Sequence, residues 1–392
     1  MTGRKQNLTR RRFFELGGAT AVASLAAPVV AQQAEPIRIG VLQPFTGGLE
    51  ALGQQGANGA ELAFLDANDA GGVDGRMFEL IRADTATDPK TAVERANDLI
   101  RRQKVAAIIG PVTSANRDAM RPTIERGKTP LLYATDYEGG VCSRYISCYS
   151  ALPDHWVVPI VAHAVKNLGD SFYLVGSDYV WPREMNAAFI AECDKTGGKV
   201  VGEEYTPWGA KDYTATLRKI RDSGAKTVVI SIAGADAITF VKQFAATGMK
   251  KTTQVVFFGF SENYLAGLSD EESEGIIAPT NFTSSLTSPE AEHLKERVRA
   301  RFGADAIVSN TVDAHWSLAR MYIEGVRRAG GDDREAVTDA MVDQTLMSGN
   351  GEVYLRPGDR HVDLNVLIAQ AQGGRLEVIE ELGRIAATDQ CT

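Results

Sequence analysis

Polar and aromatic side chains recur at one kind of place in this chain, just after short apolar runs. "VAAIIG" leads into "PVTSAN" and puts Ser114 at the start of an expected helix. "PLLYA" carries Tyr133 and runs into Thr135. "FYLVG" runs into "SDYVWP", with Tyr179, Trp181 and Pro182. "KTVVISI" runs into Ala233, Gly234 and Asp236. A helix start has free backbone N–H groups, which suit a carbonyl or anionic oxygen. Ser114 serves equally well, on this reading, as the cap of its own helix. Aromatic faces can cover a small molecule, and Pro182 would fix the turn that aims Tyr179 and Trp181. A carboxylate such as Asp236 would pair with a cationic group.

These groups hold a molecule rather than transform one. The histidines, His155, His163, His293, His315 and His361, are scattered. There is no nucleophile elbow, no paired-histidine zinc helix and no phosphate loop. "GGVDGRMFEL" is glycine-rich but leads into a strand, so it reads as a hairpin-like turn. No cysteine–histidine spacing suggests zinc. The expectation is a protein without catalysis, metal or cofactor.

The elements that must position these residues alternate. "IRIGVL", "MFELIRAD", "VAAIIG" and "PLLYA" read as strands. Helical spacing separates them, with Ala60, Ala63, Phe64 and Ala67 on one face and Ala92, Val93, Ala96, Leu99 and Ile100 on the next. Such alternation predicts a parallel sheet with helices on both sides. The pattern restarts with the helix "WVVPIVAHAVKNL" and the strands "FYLVG", "KVVGEEY", "KTVVISI" and "TQVVFFGF". Three helices are expected near 289–302, 311–328 and 333–343, followed by antiparallel strands. The fold class is therefore α/β: two doubly wound parallel-sheet lobes joined by a hinge crossed three times, near 150, 277 and 348. Lobe 1 would take 36–150 plus 277–348, lobe 2 151–276 plus 349–385, and 386–392 a tail. Ligands of open α/β sheets bind beyond the carboxyl ends of the strands. The four exits above then face one cleft.

The composition is ordinary for a globular chain of 392 residues, 44% hydrophobic and 23% charged, long enough for two domains. The first thirty residues differ. "TRRRFFELGGATAVASLAAPVVAQQA" has a positive start, an apolar run too short for a membrane span, and small residues at Val29 and Ala31. It reads as an export signal cleaved near Ala31, and "TRRRFF" resembles a twin-arginine signal, with Glu15 a departure. Residues 1–31 hold five of the 42 basic and one of the 50 acidic residues, so the remainder carries 37 against 49, near −12. An acidic chain without a basic stripe does not suit nucleic acid. In an exported protein Cys142 and Cys148 of "CSRYISC" are expected to form a disulfide, and neither Cys193 nor Cys391 is assigned a role.

Several stretches together resemble the type I periplasmic binding proteins: "IRIGVLQPFTGG", "NDAGGVDGR", "ADTATDPKTAVERANDLI" and "IIGPVTSANRDAMRP". More narrowly they resemble the substrate-binding components of branched-chain amino acid and amide–urea ABC transporters. "LLYATDYEGGVCSRYISCYSALPD", "FYLVGSDYVWPREMN" and "GGKVVGEEYTPWGAKDY" point to the amide–urea branch. The resemblance covers the whole chain after the signal. It implies ligand contacts from Ser114, from Tyr133 and Thr135, from Tyr179 and Trp181, and from Ala233, Gly234 and Asp236. Val112 departs from the branch, which carries an aromatic there, so bare urea fits less well than an amide, a urea derivative or an amino acid. The partners implied are a small polar solute and a membrane permease, with the protein a periplasmic monomer. A periplasmic sensor presenting its solute to a receptor, or an exported enzyme, are the competing roles.

Overall fold

The computed structural model describes residues 2–3 and 35–392. The export signal and its cleavage at Ala31 lie outside these residues.

The first lobe starts with β1 (Ile37–Gln43), α1 (Glu50–Asp69), β2 (Phe78–Asp84), α2 (Pro89–Arg101), β3 (Ala107–Ile109), α3 (Ser114–Arg126), β4 (Leu131–Tyr133) and β5 (Ile146–Cys148). The strands form one all-parallel sheet in the order β2-β1-β3-β4-β5. Each helix forms because its apolar residues fall on one face. Ala92, Ala96, Leu99 and Ile100 of α2 are buried against the sheet, and Asp88 caps the helix by accepting from the Thr91 N–H at 2.7 Å.

The second lobe repeats the plan with α4 (Pro153–Asn167), β6 (Ser171–Ser177), α5 (Val180–Thr196), β7 (Lys199–Thr206), α6 (Thr214–Ser223), β8 (Thr227–Ser231), α7 (Gly234–Ala246) and β9 (Gln254–Phe257). Two single turns, α8 (Glu262–Leu265) and α9 (Asp270–Ser273), lead to β10 (Ile277–Thr280). The chain then returns to the first lobe through α10 (Pro289–Phe302), α11 (Asn310–Ala329) and α12 (Arg334–Ala340), with α11 packed along α1. A hairpin, β11 (Gln344–Ser348) and β12 (Gly351–Leu355), precedes the long antiparallel pair β13 (Val362–Gln372) and β14 (Arg375–Ile385).

The second sheet runs β7-β6-β8-β9-β10 in parallel and continues antiparallel through β13, β12 and β11, with β14 also paired to β13. Ile277–Thr280 thus belongs to the second sheet, not to the first lobe as a crossing at 277 would have it. The reason is strand pairing: Ile277 pairs Val256 on one side and Gln370 on the other, so the strand is enclosed in the second sheet. Among the described residues no helix is long and apolar enough to cross a membrane.

The disulfide is Cys142–Cys391, spanning 249 residues, and not Cys142–Cys148. Strand pairing decides this. Cys148 ends β5 in register with Tyr133 and is fully buried, so its thiol faces the core. Cys142 stays exposed in the preceding loop, where the tail reaches it. The tail is fixed along its length. The side-chain oxygen of Gln390 accepts from the Gly140 N–H at 2.7 Å, and the Thr388 N–H donates to Asp154 at 2.8 Å. Arg356, between β12 and β13, donates to the Ala387 carbonyl. The tail therefore straps the two lobes' connecting segments together.

Candidate functional site

The carboxyl ends of both sheets face each other across a cavity of about 80 Å³. Its walls differ in chemistry. The first lobe supplies Ser114, Thr135 and Asp136, with Asn310 and Thr311 from the start of α11, beside the apolar Leu49, Leu52 and Val112. The second lobe supplies Trp156, Tyr179, Trp181, Phe258 and Tyr264.

On the polar side, β3 ends in a turn whose Thr113 is the true cap of α3: its hydroxyl accepts from the Asn116 N–H at 3.2 Å. That leaves Ser114, at the first helical position, free for other work. Its hydroxyl donates to Glu138 at 2.7 Å, and Glu138 is in turn held by Arg117, which lies over the rings of Tyr133 and Tyr137 at 4.8 and 4.3 Å. Thr135 donates to the Pro111 carbonyl at 3.3 Å. Asp136 accepts from the Ala151 N–H at 2.6 Å and from the Asn310 amide at 3.1 Å. It is half-buried and lines the cavity. Burial away from water pushes its pKa up to about 7, against the pull of those two donors.

On the aromatic side, Tyr179 precedes the first residue of α5 and Trp181 is the second, with Pro182 next, where its missing N–H costs no helical bond. Tyr179 stacks on Trp181 at 6.4 Å and on Trp208 at 5.2 Å, and Trp156 stacks on Phe258 at 6.5 Å. The indole N–H groups of Trp156 and Trp181 are buried with no acceptor among the described residues. Such donors are costly to bury alone and suit an incoming oxygen.

The lobes touch at the rim. Leu49, Val112 and Ala233 form a small apolar cluster with Leu52 and Tyr179 against it. The Gln55 amide of α1 donates to Asn263 of α8 at 3.0 Å. Gly234 has φ +64°, and a Cβ there would lie 2.6 Å from the Gly48 carbonyl oxygen of the first lobe. The cleft is described in its closed form.

Of the residues expected here, Ser114, Thr135, Tyr179, Trp181 and Ala233 line the cavity. Gly234 sits at its rim, its N–H donating to the Tyr264 hydroxyl at 3.1 Å. Tyr133 is corrected: it is fully buried, donates to the Val112 carbonyl at 3.0 Å, and supports the wall from behind. Asp236 is corrected too. It lies in the first turn of α7 and accepts from the Gly209 N–H at 2.7 Å, outside the cavity wall. The carboxylate that does face the cavity, Asp136, is the residue after Thr135, in the same strand exit. Its signal was its position alone. Trp156, Phe258 and Tyr264 gave less, because buried aromatics of a helix and a loop look like core.

The model of the family described as "Periplasmic binding protein" matches residues 36–375. The chain belongs to that family. The "Leu/Ile/Val-binding protein homolog 6" of Brucella melitensis biotype 1 is 24% identical over 360 residues, covering 90% of this chain and 91% of its own. The isoleucine complex of the branched-chain amino acid transporter substrate-binding protein LivJ from Streptococcus pneumoniae superposes with a TM-score of 0.80 at 20% identity, covering 88% of this chain and 99% of its own. A solute-binding protein of an ABC transporter from R. palustris, in complex with 4-hydroxybenzoate, gives 0.80 at 24% identity, covering 91% and 98%. Membership makes this chain a solute-binding protein of a non-enzymatic family of periplasmic proteins. The shared fold leaves the ligand to be argued from this chain's own cleft.

Proposed function

We propose that this binding protein captures one small polar solute between its lobes and presents the closed complex to the permease of an ABC importer. The observation that carries this reading is a cavity whose polar side chains come from one lobe and whose aromatic side chains come from the other. A ligand touching both walls binds the closed form better than the open one, and that difference drives closure. The ligand's size matches a cavity of about 80 Å³, which suits an amide, a urea derivative or a small amino acid. Its oxygen would meet the free N–H groups at the start of α3 and the unpaired indole N–H groups. The protein works as a periplasmic monomer, exported through a twin-arginine-like signal in residues 1–31.

The test is thermal unfolding of residues 32–392 with a panel of amides, ureas, amino acids and small organic anions and cations. A ligand that binds only the folded state raises the Tm by mass action, by an amount that grows with the logarithm of its concentration. A rise from one class, together with compaction in solution scattering, is the expected result. No rise from any class would reject the reading.

A further inference from the structure

Two of the segments that join the lobes run side by side. One leads from β5 into α4 and the other from β12 into β13, and where they meet the Cys148 N–H donates to the Arg360 carbonyl at 2.9 Å. The tail lies against both. It leaves the second lobe at Ile385, which ends β14 paired with Leu364 of β13 and whose carbonyl meets the His155 ring of α4 at 3.1 Å. The Thr388 N–H then donates to Asp154, at the start of α4, at 2.8 Å. The Gln390 N–H donates to Asp359 of the second joining segment at 3.1 Å. The last contacts are with the first lobe: the Gln390 side chain accepts from the Gly140 N–H at 2.7 Å, and Cys391 is bonded to Cys142. The loop held there is anchored in that lobe. Arg121 of α3 donates to the Cys142 carbonyl at 2.7 Å, and Glu138 accepts from Ser114 of the cavity wall at 2.7 Å.

The tail therefore crosses from one lobe to the other beside the joining segments, and the disulfide makes that crossing covalent. Its slack is short. Cys391 follows Thr388 by three residues, a reach of at most about 11 Å when fully extended. Opening of the cleft either stays within that reach or breaks the hydrogen bonds of Thr388 and Gln390. Both bonded cysteines are exposed, whereas Cys148 and Cys193 are buried.

We infer that the tail is a tether that limits how far the ligand-free lobes open, and that the Cys142–Cys391 bond is its releasable end. This rests on the hinge of the solute-binding reading and not on which solute is bound. A protein kept from opening wide holds more of its population near the closed form, and its apparent affinity rises with that fraction. Release is a thiol–disulfide exchange with a dithiol. One thiolate of the dithiol attacks a sulfur of the bond, the other protein sulfur leaves as a thiolate, and the second thiol of the reagent then closes its own disulfide. Two electrons pass to the protein, and both cysteines end as thiols.

The experiment is solution scattering of residues 32–392 without ligand, as the oxidised protein, after treatment with dithiothreitol, and with the tail lengthened by about six Gly and Ser residues inserted after Thr388. The lengthened protein keeps the bond and loses only the short reach. Thiol counting with peptide mapping follows residues 142 and 391. The expected result is two new thiols at these positions on reduction, and a radius of gyration, roughly 21 Å for a compact chain of this length, that rises by about 0.5–1 Å in both the reduced and the lengthened protein. An unchanged radius in both overturns the inference. A rise on reduction with none in the lengthened protein also overturns it, because the bond then acts as a stabilising cross-link and not through its reach. Free thiols at 142 and 391 in the untreated protein, or a bond that resists dithiothreitol until the protein unfolds, overturn the releasable end. If the reduced protein unfolds, the lengthened protein decides the tether by itself. Each of these failures leaves solute binding standing, since no ligand enters the measurement.

Discussion

Asp136 shows how a carboxyl buried at the cleft can cost stability. Its carboxyl binds a proton more tightly in the folded protein, at about 7, than in the unfolded chain. Its contribution therefore favours the folded state below pH 4 and is lost as pH rises through 7. Three buried histidines, His155, His315 and His361, act in the opposite sense, because burial lowers each of them to about 4. Their contribution is present above pH 6.5 and is lost as pH falls through 4. Asp313, raised by burial to about 6, sides with Asp136. Three groups against two nearly cancel, so the net change from these five between pH 7 and pH 4 is small, on the order of 1–3 kcal/mol. Asp136→Asn removes one opposing group. It should match wild type at pH 4, exceed it by a few degrees in Tm at pH 8, and lose more stability on acidification. Melting curves across that range check this, and a variant less stable than wild type at pH 8 would contradict it. His361 also accepts or donates at 2.6 Å with Tyr137. His361→Gln should flatten the acid loss, read from the same curves.

At the scale of elements, the site depends on where helices start. Thr113, not Ser114, caps α3, so the helix is held while Ser114 turns to Glu138 and the cavity. Thr113→Ala should cost about 1 kcal/mol of stability, the usual worth of a cap. Chemical denaturation reads this directly, and ligand affinity should fall with it because Ser114 moves with the helix start. A loss of stability with affinity untouched would mean that Ser114 does not meet the ligand. The start of α7 plays a different part. Gly234 holds a left-handed φ and lets the first lobe's Gly48 carbonyl approach closely. Gly234→Ala adds about 1–2 kcal/mol of backbone strain in any state and a clash in the closed state alone. Affinity should drop about tenfold or more, and scattering with ligand present should show a more open molecule. Normal closure would place the lobe contact elsewhere.

Across the whole molecule the tail is the unexpected member. Cys391 holds it to Cys142, while Gln390, Thr388 and Ala387 bind the loop before β5, the start of α4 and the turn before β13. Closing a loop of 249 residues removes unfolded-chain entropy worth up to about 5 kcal/mol in the loop-closure account. Cys391→Ser should therefore lower the denaturation midpoint clearly, whereas Cys148→Ser should not mimic it through bond loss, since Cys148 is a buried free thiol. Thiol labelling of the folded protein gives a second check: neither Cys148 nor Cys193 should react until the protein unfolds.

The sequence by itself determined what depends on neighbours along the chain. Periodicity of two and of 3.6 marked strands and helices, so "VAAIIG" and the α2 face read correctly, and the alternation implied two parallel lobes. The strand exits put Ser114, Thr135, Tyr179, Trp181 and Ala233 where a cleft must be, and all five line it. Tertiary structure alone decided which carboxylate faces the cavity. Asp136 and Asp236 both follow strands and both accept from a backbone N–H of a distant segment, but Asp136 does so on the cavity wall and Asp236 outside it. It also decided the disulfide. Six residues separate Cys142 from Cys148, yet strand pairing turns Cys148 into the core and leaves Cys142 to a partner 249 residues away. Side-chain direction in the folded chain follows from packing between distant segments, and spacing along the sequence carries no record of it.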